Sequence, residues 1–190
     1  MARPPRDFAS GLYHVASQAS DTRFLFSSDA ERELFLDGLA TSCERFELGL
    51  VTYTLMGTHY HLILFTPDAR LSTALQRLHS WYSRRYNKAR TRSAHLFRAH
   101  FFSRPIMSDA DLLGACRYVA RNPVEAGLVR RPLAWPWSGA RANVGLEKPR
   151  IPLDEEPLRA ALSGSPTWRD DYRALLEAAD EPAAKASQPG

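Results

Sequence analysis

The chain contains no apolar run long enough to cross a membrane. A spanning helix needs roughly 18–20 consecutive apolar residues, and no stretch approaches that length although 44% of the residues are hydrophobic. The N-terminal segment Met-Ala-Arg-Pro-Pro-Arg-Asp leads into no apolar region of the kind found in secretion signals. These absences predict a soluble protein in the cytoplasm that makes no membrane contact. With 190 residues, the chain is long enough for one well-buried domain with appendages.

Cysteine is almost absent as well. The two cysteines, Cys43 and Cys116, lie far apart in the sequence, each within a helical pattern. They form neither a Cys-x-x-Cys metal knuckle nor a disulfide framework. A reducing compartment is therefore expected.

Acidic residues are missing from residues 69–108, which contain no Asp or Glu. A segment this basic, interleaved with aromatic side chains such as Trp81 and Phe102, favours a surface that binds a polyanion with stackable rings. The alternative is a solvated basic helix whose aromatic side chains belong to the core. The candidate nucleic-acid contacts in this segment are Arg77, Arg84, Arg85, Lys88, Arg90, Arg92, Arg98 and Arg104.

Four strands are predicted from the sequence. Residues 11–17 alternate as a first strand should, and residues 48–56 form a second. Gly57-Thr58 is a tight reversal into the third strand, so the second and third strands form a hairpin. Residues 95–107 are predicted to be the fourth strand.

Three helices are predicted between and after the strands. The first follows three candidate capping residues, Ser27, Ser28 and Asp29, and the second carries an apolar stripe from Leu71 to Tyr82. The third opens at Ser108, with Asp111 in the position of a capping box. It is expected to stop at Asn122-Pro123, because a residue before proline is pushed out of the helical region.

The order β-α-β-β-α-β-α is that of the ferredoxin-like split β-α-β fold, an α+β class. Two helices are expected to cover one face of an antiparallel sheet and to leave the other face free for a site. We expect this domain to occupy residues 8–145. A C-terminal helical extension over residues 146–180 and a disordered tail over residues 181–190 are expected to follow.

Two histidines one residue apart, His59 and His61, stand at the start of the apolar third strand. Residues i and i+2 of a strand point to the same side of a sheet, so the two imidazoles should lie side by side while Tyr60 and Leu62 face the other way. Such a pair is suited to hold a metal ion. Histidines on half-buried strands are also often only packed and hydrogen-bonded, so the pair alone leaves both interpretations open.

On the third predicted helix, Tyr118 and Asn122 are four residues apart and therefore share one face. Both lie on the flank of the apolar stripe, where a tyrosine reaches a neighbouring cleft and an asparagine one turn later reaches the same point with its amide oxygen. The alternative interpretation is a boundary tyrosine followed by an asparagine that caps the helix.

Together, these features resemble the HUH single-strand nucleases, and among them the single-tyrosine transposases of the REP-associated type. The resemblance covers roughly residues 11–145 and is most specific in the motif Asn122-Pro123-Val124-Glu125-Ala126-Gly127-Leu128-Val129. Its other motifs are Gly11-Leu12-Tyr13-His14-Val15, His59-Tyr60-His61-Leu62-Ile63-Leu64, Arg84-Arg85-Tyr86-Asn87, His95-Leu96-Phe97 and Trp135-Pro136-Trp137-Ser138. Two positions depart from the family pattern: Met56-Gly57-Thr58 replaces Met-Pro-Asn, and Gln18-Ala19-Ser20 replaces Arg-Gly-Asn.

The resemblance implies a metal-dependent DNA strand-transfer enzyme without a nucleotide cofactor. In that family pattern, His59, His61 and Asn122 hold a divalent cation, Mg²⁺ or Mn²⁺, that polarises the scissile phosphate. Tyr118 is the nucleophile and forms a 5′-phosphotyrosine, which leaves a free 3′-hydroxyl. Attack by another 3′-hydroxyl then reverses the step and rejoins strands.

The resemblance also implies that the partner is single-stranded or hairpin DNA of the repetitive extragenic palindrome type. The protein would act as a monomer or homodimer, associated with the nucleoid when bound to DNA, with the basic segment on the phosphate backbone. Two alternatives remain open. A domesticated relative would bind hairpins without cleaving them. An RNA-binding ferredoxin-like module would need exposed aromatic side chains where the central strand here carries histidines.

Overall fold

The secondary structure of the computed structural model follows the predicted order. The structure describes residues 9–20, 24–91, 95–98 and 100–178, so Arg92 and the tail at 181–190 lie outside the described residues. The strands are β1 (Gly11–Gln18), β2 (Gly49–Leu55), β3 (His59–Thr66) and β4 (Phe102–Ile106). The helices are α1 (Asp29–Phe46), α2 (Leu71–Ala89), α3 (Asp109–Glu125), α4 (Ala140–Asn143), α5 (Glu156–Ala161) and α6 (Trp168–Glu177). No helix within the described ranges is long and apolar enough to cross a membrane.

The four strands form one antiparallel sheet in the order β2-β3-β1-β4. Strand β1 is central, so that His14 lies opposite Ile63 of β3 on one side and opposite Arg104 of β4 on the other. Strands β2 and β3 form the hairpin predicted around Gly57-Thr58. This strand order is that of a split β-α-β unit, so the predicted α+β, ferredoxin-like fold class is confirmed.

Helices α1 and α2 cover one face of the sheet. Helix α1 begins at Ser28, whose side chain accepts a hydrogen bond from the backbone N–H of Glu31. The buried stripe of α2 contains Leu71, Leu75, Leu78 and Tyr82. These side chains meet fully buried strand residues such as Val15 and Leu62. Each aliphatic side chain buried there contributes roughly 1.5–3 kcal/mol to the stability of the fold.

The opposite face of the sheet is partly covered, which corrects the expectation of a free face. Helix α3 packs on Ile63 and Ile106, and the C-terminal helices extend this second cluster with Leu158 and Tyr172. The cause is the apolar character of this end of the face, which has to be buried against another layer. The end that begins at His59 of β3 is polar and stays open to clefts.

Strand β4 is shorter than predicted. Regular pairing covers only Phe102–Ile106, and further upstream Phe97 makes a single bridge to Ala19. Phe97 packs into the α1–α2 core although it lies outside the regularly paired strand. Strand β4 lies at the edge of the sheet with β1 as its one neighbour, and an edge strand has only half the backbone pairing of a central strand.

Helix α3 continues past the predicted stop and contains Pro123 in its last turn. A proline inside a helix removes the N–H that would bond to the carbonyl four residues earlier, here that of Val119. In this protein Thr54 Oγ1 of β2 donates to the Val119 carbonyl oxygen at 2.9 Å instead. The side chain from the sheet thus replaces the missing helix donor, and the prediction that the helix stops at Asn122 was wrong.

The outer edge of β2 is paired by the chain that follows α3. The Leu55 N–H donates to the Trp137 carbonyl oxygen, and the Gly139 N–H donates to that of Tyr53, both at 2.9 Å. An unpaired sheet edge invites pairing with other chains. The crossover between α3 and α4 therefore protects β2.

Candidate active site

His59 and His61 lie on the sheet face opposite α1 and α2, as their spacing predicted. Their ring centroids are 5.2 Å apart and their planes are nearly perpendicular. Tyr60, between them, points into the core beneath α1 and α2 and is fully buried. On the neighbouring strand β1, Ala16 is paired with His61 and Gln18 with His59. The small side chain of Ala16 leaves room beside the His61 ring.

A third histidine, His14, completes the polar end of this face. Its Nε2 atom lies 3.0 Å from Nδ1 of His61, and the two rings stack with centroids 5.2 Å apart. Both histidines are buried, each with 6% of its surface exposed. No role was predicted for His14, because only the pairing of β1 with β3 brings it to His61. The available signals were its place in the alternating pattern of β1 and in the motif Gly11-Leu12-Tyr13-His14-Val15.

The three rings of His14, His59 and His61 form a histidine cluster, in which burial keeps His14 and His61 neutral. Burial lowers the pKa of His61 to about 3, with further lowering by His14 and His59 and an opposing effect of Asn122. It also lowers the pKa of His14 to about 4, with a contribution from Arg104. Neutral imidazoles each keep one nitrogen lone pair, which can accept a hydrogen bond or bind a metal ion.

Helix α3 brings Tyr118 and Asn122 to the same point. Asn122 is buried, and its Oδ1 lies 3.4 Å from Nε2 of His59, while its Nδ2 donates to the Tyr118 carbonyl oxygen at 3.2 Å. The Tyr118 ring stands edge-on to His61 with a centroid distance of 5.5 Å. Because 45% of its surface is exposed, Tyr118 is open to solvent at the rim of the histidine cluster.

The donor atoms at this point suit a hard or borderline divalent cation. His59 Nδ1 lies 3.1 Å from Thr58 Oγ1, and this leaves Nε2 of His59 towards the Asn122 oxygen. His61 is held at Nδ1 by His14, so its Nε2 is the nitrogen left for a metal. Among the residues that the structure describes, no three His, Cys, Asp or Glu side chains converge as a metal cluster. The candidate ligand set therefore depends on an amide oxygen to complete the two imidazoles.

Two clefts meet at the histidine cluster. The larger, about 580 Å³, lies between β4 and α3 and is lined by Tyr118, His61 and Arg104. The smaller, about 290 Å³, is lined by His59, His61 and His100. Phe102 borders both clefts, and 53% of its surface is exposed. An extended polymer could therefore pass through both clefts and across His61.

The basic residues of α2 lie on the other side of the sheet from the histidines. They are Arg77, Arg84, Arg85 and Lys88. Arg85 stacks on Trp81, with its guanidinium carbon 4.1 Å from the ring centroid, and Arg90, just beyond α2, pairs with Glu31. The structure thus does not bring these predicted contacts to the candidate active site.

Arg104, on the edge strand β4, and Arg98, which precedes that strand, lie closer to the histidine pair. Arg104 lines the larger cleft and forms an ion pair of 2.8 Å with Asp111. The Arg98 N–H donates to the carbonyl oxygen of Gln18, the β1 residue paired with His59. Arg92 lies outside the described residues. The predicted basic surface is therefore divided between two sides of the sheet.

The histidine pair on the interior strand β3 thus faces Tyr118 on the later helix α3. The family model described as "Transposase IS200 like" matches residues 8–122, more than half of the chain. The chain therefore belongs to the family of IS200-like transposases.

The fold is similar to that of a solved structure described as "Structure of the REP associates tyrosine transposase bound to a REP hairpin". The TM-score is 0.63 at 16% sequence identity, and the match covers 82% of this chain and 93% of the other. No curated protein matches the sequence.

Proposed function

We propose that this transposase cleaves and rejoins single-stranded DNA through a covalent 5′-phosphotyrosine on Tyr118. The observation that carries the proposal is the convergence of an exposed tyrosine with His59, His61 and the Asn122 amide oxygen at one end of the sheet. A structural tyrosine at a helix boundary would not need two histidine side chains and a buried amide beside its ring. Membership in the IS200-like transposase family supports the same assignment.

In the proposed step the Tyr118 oxygen attacks the scissile phosphorus as its proton leaves. The P–O3′ bond breaks, and the departing oxygen takes up a proton to become a free 3′-hydroxyl. Attack of a 3′-hydroxyl on the phosphotyrosine reverses the step and reseals a strand, so no nucleotide cofactor is consumed. The half-exposed position of Tyr118 allows its proton to pass to water.

We further propose that His59, His61 and Asn122 hold Mg²⁺ or Mn²⁺. When bound, the ion would polarise the scissile phosphate and offset the charge that develops on its oxygens. The role of the protein is to orient both imidazoles, which the contacts of His14 and Thr58 achieve, and to keep His61 neutral by burial. Asn122 adds an oxygen donor without adding a charge.

The proposed substrate is hairpin DNA with a foot, that is, an unpaired single-stranded segment at the base of the stem. The similar solved structure is described as bound to a REP hairpin. The two clefts on either side of His61 give room for one unpaired strand, with a nucleotide on each side of the scissile phosphate. The exposed Phe102 ring between them offers a surface on which a base can stack.

The test is the formation of a protein–DNA adduct. Labelled hairpins with randomised single-stranded feet, incubated with Mg²⁺, should give an adduct that survives denaturing electrophoresis. Tyr118→Phe should abolish the adduct and strand cleavage while hairpin affinity and folding stay nearly unchanged. Tyr172→Phe, which also removes one phenol oxygen but on α6, is the matched control and should retain both activities. Undiminished cleavage by Tyr118→Phe would contradict the proposal, and hairpin binding without any adduct in the wild type would indicate a binding-only protein.

A further inference from the structure

We propose that His14 is a positioning residue that fixes the tautomer of His61, so that Nε2 of His61 is free to bind the metal ion. The inference rests on the proposed function, because that function assigns His61 to the metal site. Its basis is the 3.0 Å contact between Nε2 of His14 and Nδ1 of His61. Both rings are buried, so water does not compete for this hydrogen bond.

The hydrogen bond can run in either of two directions. If His14 Nε2 donates, neutral His61 must carry its own proton on Nε2, and that nitrogen cannot bind a metal. If His61 Nδ1 donates, the lone pair of His61 is on Nε2, and His14 holds its proton on Nδ1. Histidines that bind metals ordinarily donate their other ring N–H to a nearby acceptor. In the second arrangement, His14 Nε2 is that acceptor.

Three aromatic contacts keep the His14 ring in place for this role. It stacks on His61, and the rings of Phe102 and Tyr118 stand edge-on to it, each with a centroid distance of 5.7 Å. These three contacts restrict rotation of the His14 ring away from His61. They hold the acceptor in position without a metal ion or DNA.

His59 and His61 differ in whether water can replace the group that is hydrogen-bonded to their Nδ1 atoms. His59 has Thr58 Oγ1 at 3.1 Å from its Nδ1, but Thr58 is exposed, so water can take the place of that hydroxyl. The Nδ1 atom of His61 and its partner His14 are both buried, so water cannot take the place of His14 in the same way. Loss of His14 should therefore affect the metal site more than loss of Thr58.

The first experiment compares His14→Gln with His14→Leu. The amide oxygen of glutamine can accept from His61 Nδ1, whereas leucine fills the space without an acceptor. Mn²⁺ affinity of the full chain without DNA, measured by calorimetry, should fall by about 10- to 100-fold in His14→Leu and stay within a few-fold of the wild type in His14→Gln. His79→Leu, which removes a histidine from the other side of the sheet, should leave the affinity unchanged.

The second experiment reads the tautomer directly. Long-range ¹H–¹⁵N NMR of the metal-free protein should show His61 protonated at Nδ1 in the wild type and in His14→Gln, but not predominantly so in His14→Leu. If His14→Leu fails to fold, His14→Asn, whose shorter side chain does not reach Nδ1, takes its place.

Two results would overturn the inference: equal Mn²⁺ affinity of the wild type and the variant without an acceptor, or wild-type His61 protonated at Nε2. A wild type that binds no Mn²⁺ would instead contradict the metal part of the proposed function. The tautomer spectrum would still decide the role of His14 in that case.

Discussion

The side chain of Asn122 contacts two different residues. Its Oδ1 faces His59 Nε2, and its Nδ2 donates to the carbonyl oxygen of Tyr118 one turn earlier. The amide is therefore oriented by the helix, with its oxygen towards the histidine pair. An orientation fixed in this way is needed for a ligand that carries no charge, since a misplaced amide would offer an N–H₂ group to the cation.

We predict that Asn122→Ala raises the Mg²⁺ concentration needed for half-maximal cleavage by about 10-fold or more, because the oxygen donor is removed. Asn122→Asp restores an oxygen at the same reach and should require less Mg²⁺ than Asn122→Ala. Cleavage measured over a Mg²⁺ titration tests both. An unchanged Mg²⁺ dependence in Asn122→Ala would remove Asn122 from the ligand set.

His79, on the other side of the sheet, is predicted to make the free energy of unfolding depend on pH. Its Nε2 lies 2.6 Å from the hydroxyl of buried Tyr60, and its ring stacks on Phe97 at 3.9 Å. Burial lowers the pKa of His79 to about 3. In the unfolded chain, this histidine takes up a proton near the ordinary pKa of about 6.5. The contribution of neutral His79 to the free energy of unfolding is therefore complete above that pH and is lost as the pH falls towards 3.

Replacement of His79 by glutamine keeps an acceptor for Tyr60 but removes the titration. Between about pH 6 and pH 4, the free energy of unfolding of His79→Gln should therefore fall less steeply than that of the wild type, by about 1 kcal/mol per pH unit. Urea unfolding at a series of pH values measures this slope. Parallel pH profiles of the two proteins would show that His79 titrates normally in the folded state.

At the scale of the elements, helix α3 is fixed at several points along its length. Its first turn is capped by Ser108, and the Val119 carbonyl is bound by Thr54. From its outer side, Arg117 and Arg121 donate to the carbonyl oxygen of Ala178, just beyond α6. The helix that carries the proposed nucleophile is therefore held by both the sheet and the C-terminal helices.

The hydrogen bond from Thr54 to the Val119 carbonyl oxygen is predicted to stabilise the fold, and Thr52 on the same strand provides a control. Thr54→Val should destabilise the fold by about 1–3 kcal/mol, because Pro123 cannot supply the donor that the buried Val119 carbonyl then lacks. Thr52 is also buried, but its hydroxyl has no hydrogen-bond partner within the described part of the chain. Thr52→Val should therefore be neutral or stabilising. Equal destabilisation of the two variants, measured by denaturant unfolding, would contradict this account of how α3 tolerates Pro123.

At the scale of the whole molecule, the sheet separates two charged regions. Arg84 and Lys88 are exposed on α2, whereas Arg98 and Arg104 lie towards the histidine face. A hairpin stem and its unpaired foot could use both regions only if the DNA passes around the β4 edge of the sheet. We therefore predict that bound DNA passes around the β4 edge and contacts basic residues on both sides of the sheet.

Salt dependence tests this path. Arg84→Ala and Arg98→Ala should each flatten the log–log dependence of hairpin affinity on salt, by about 0.7 for each single-strand phosphate that the variant no longer neutralises. Arg159→Ala removes the same charge from α5, where Arg159 pairs with Glu156, and should leave the slope unchanged. If Arg84→Ala behaves like Arg159→Ala, the α2 arginines belong to a solvated face.

The local patterns of the sequence determined the elements and the face on which His59 and His61 project. The i, i+2 spacing of the two histidines on β3 and the helical spacing along α2 and α3 are properties of neighbouring residues, so they can be read without a structure. The same holds for Tyr118 and Asn122, whose four-residue spacing alone puts them on one side of α3.

The tertiary structure decided the features that depend on distant residues. The pairing of β1 with β3, which joins His14 to His61, and the donation from Thr54 that lets α3 continue past Pro123 both bring together residues far apart in the chain. The burial of part of the second face by α3, against which α5 and α6 pack, is of the same kind, and so is the position of the α2 arginines on the other side of the sheet. Hydrogen bonds and burial act between atoms that are close in space, and local periodicity carries no information about which distant segment supplies the partner.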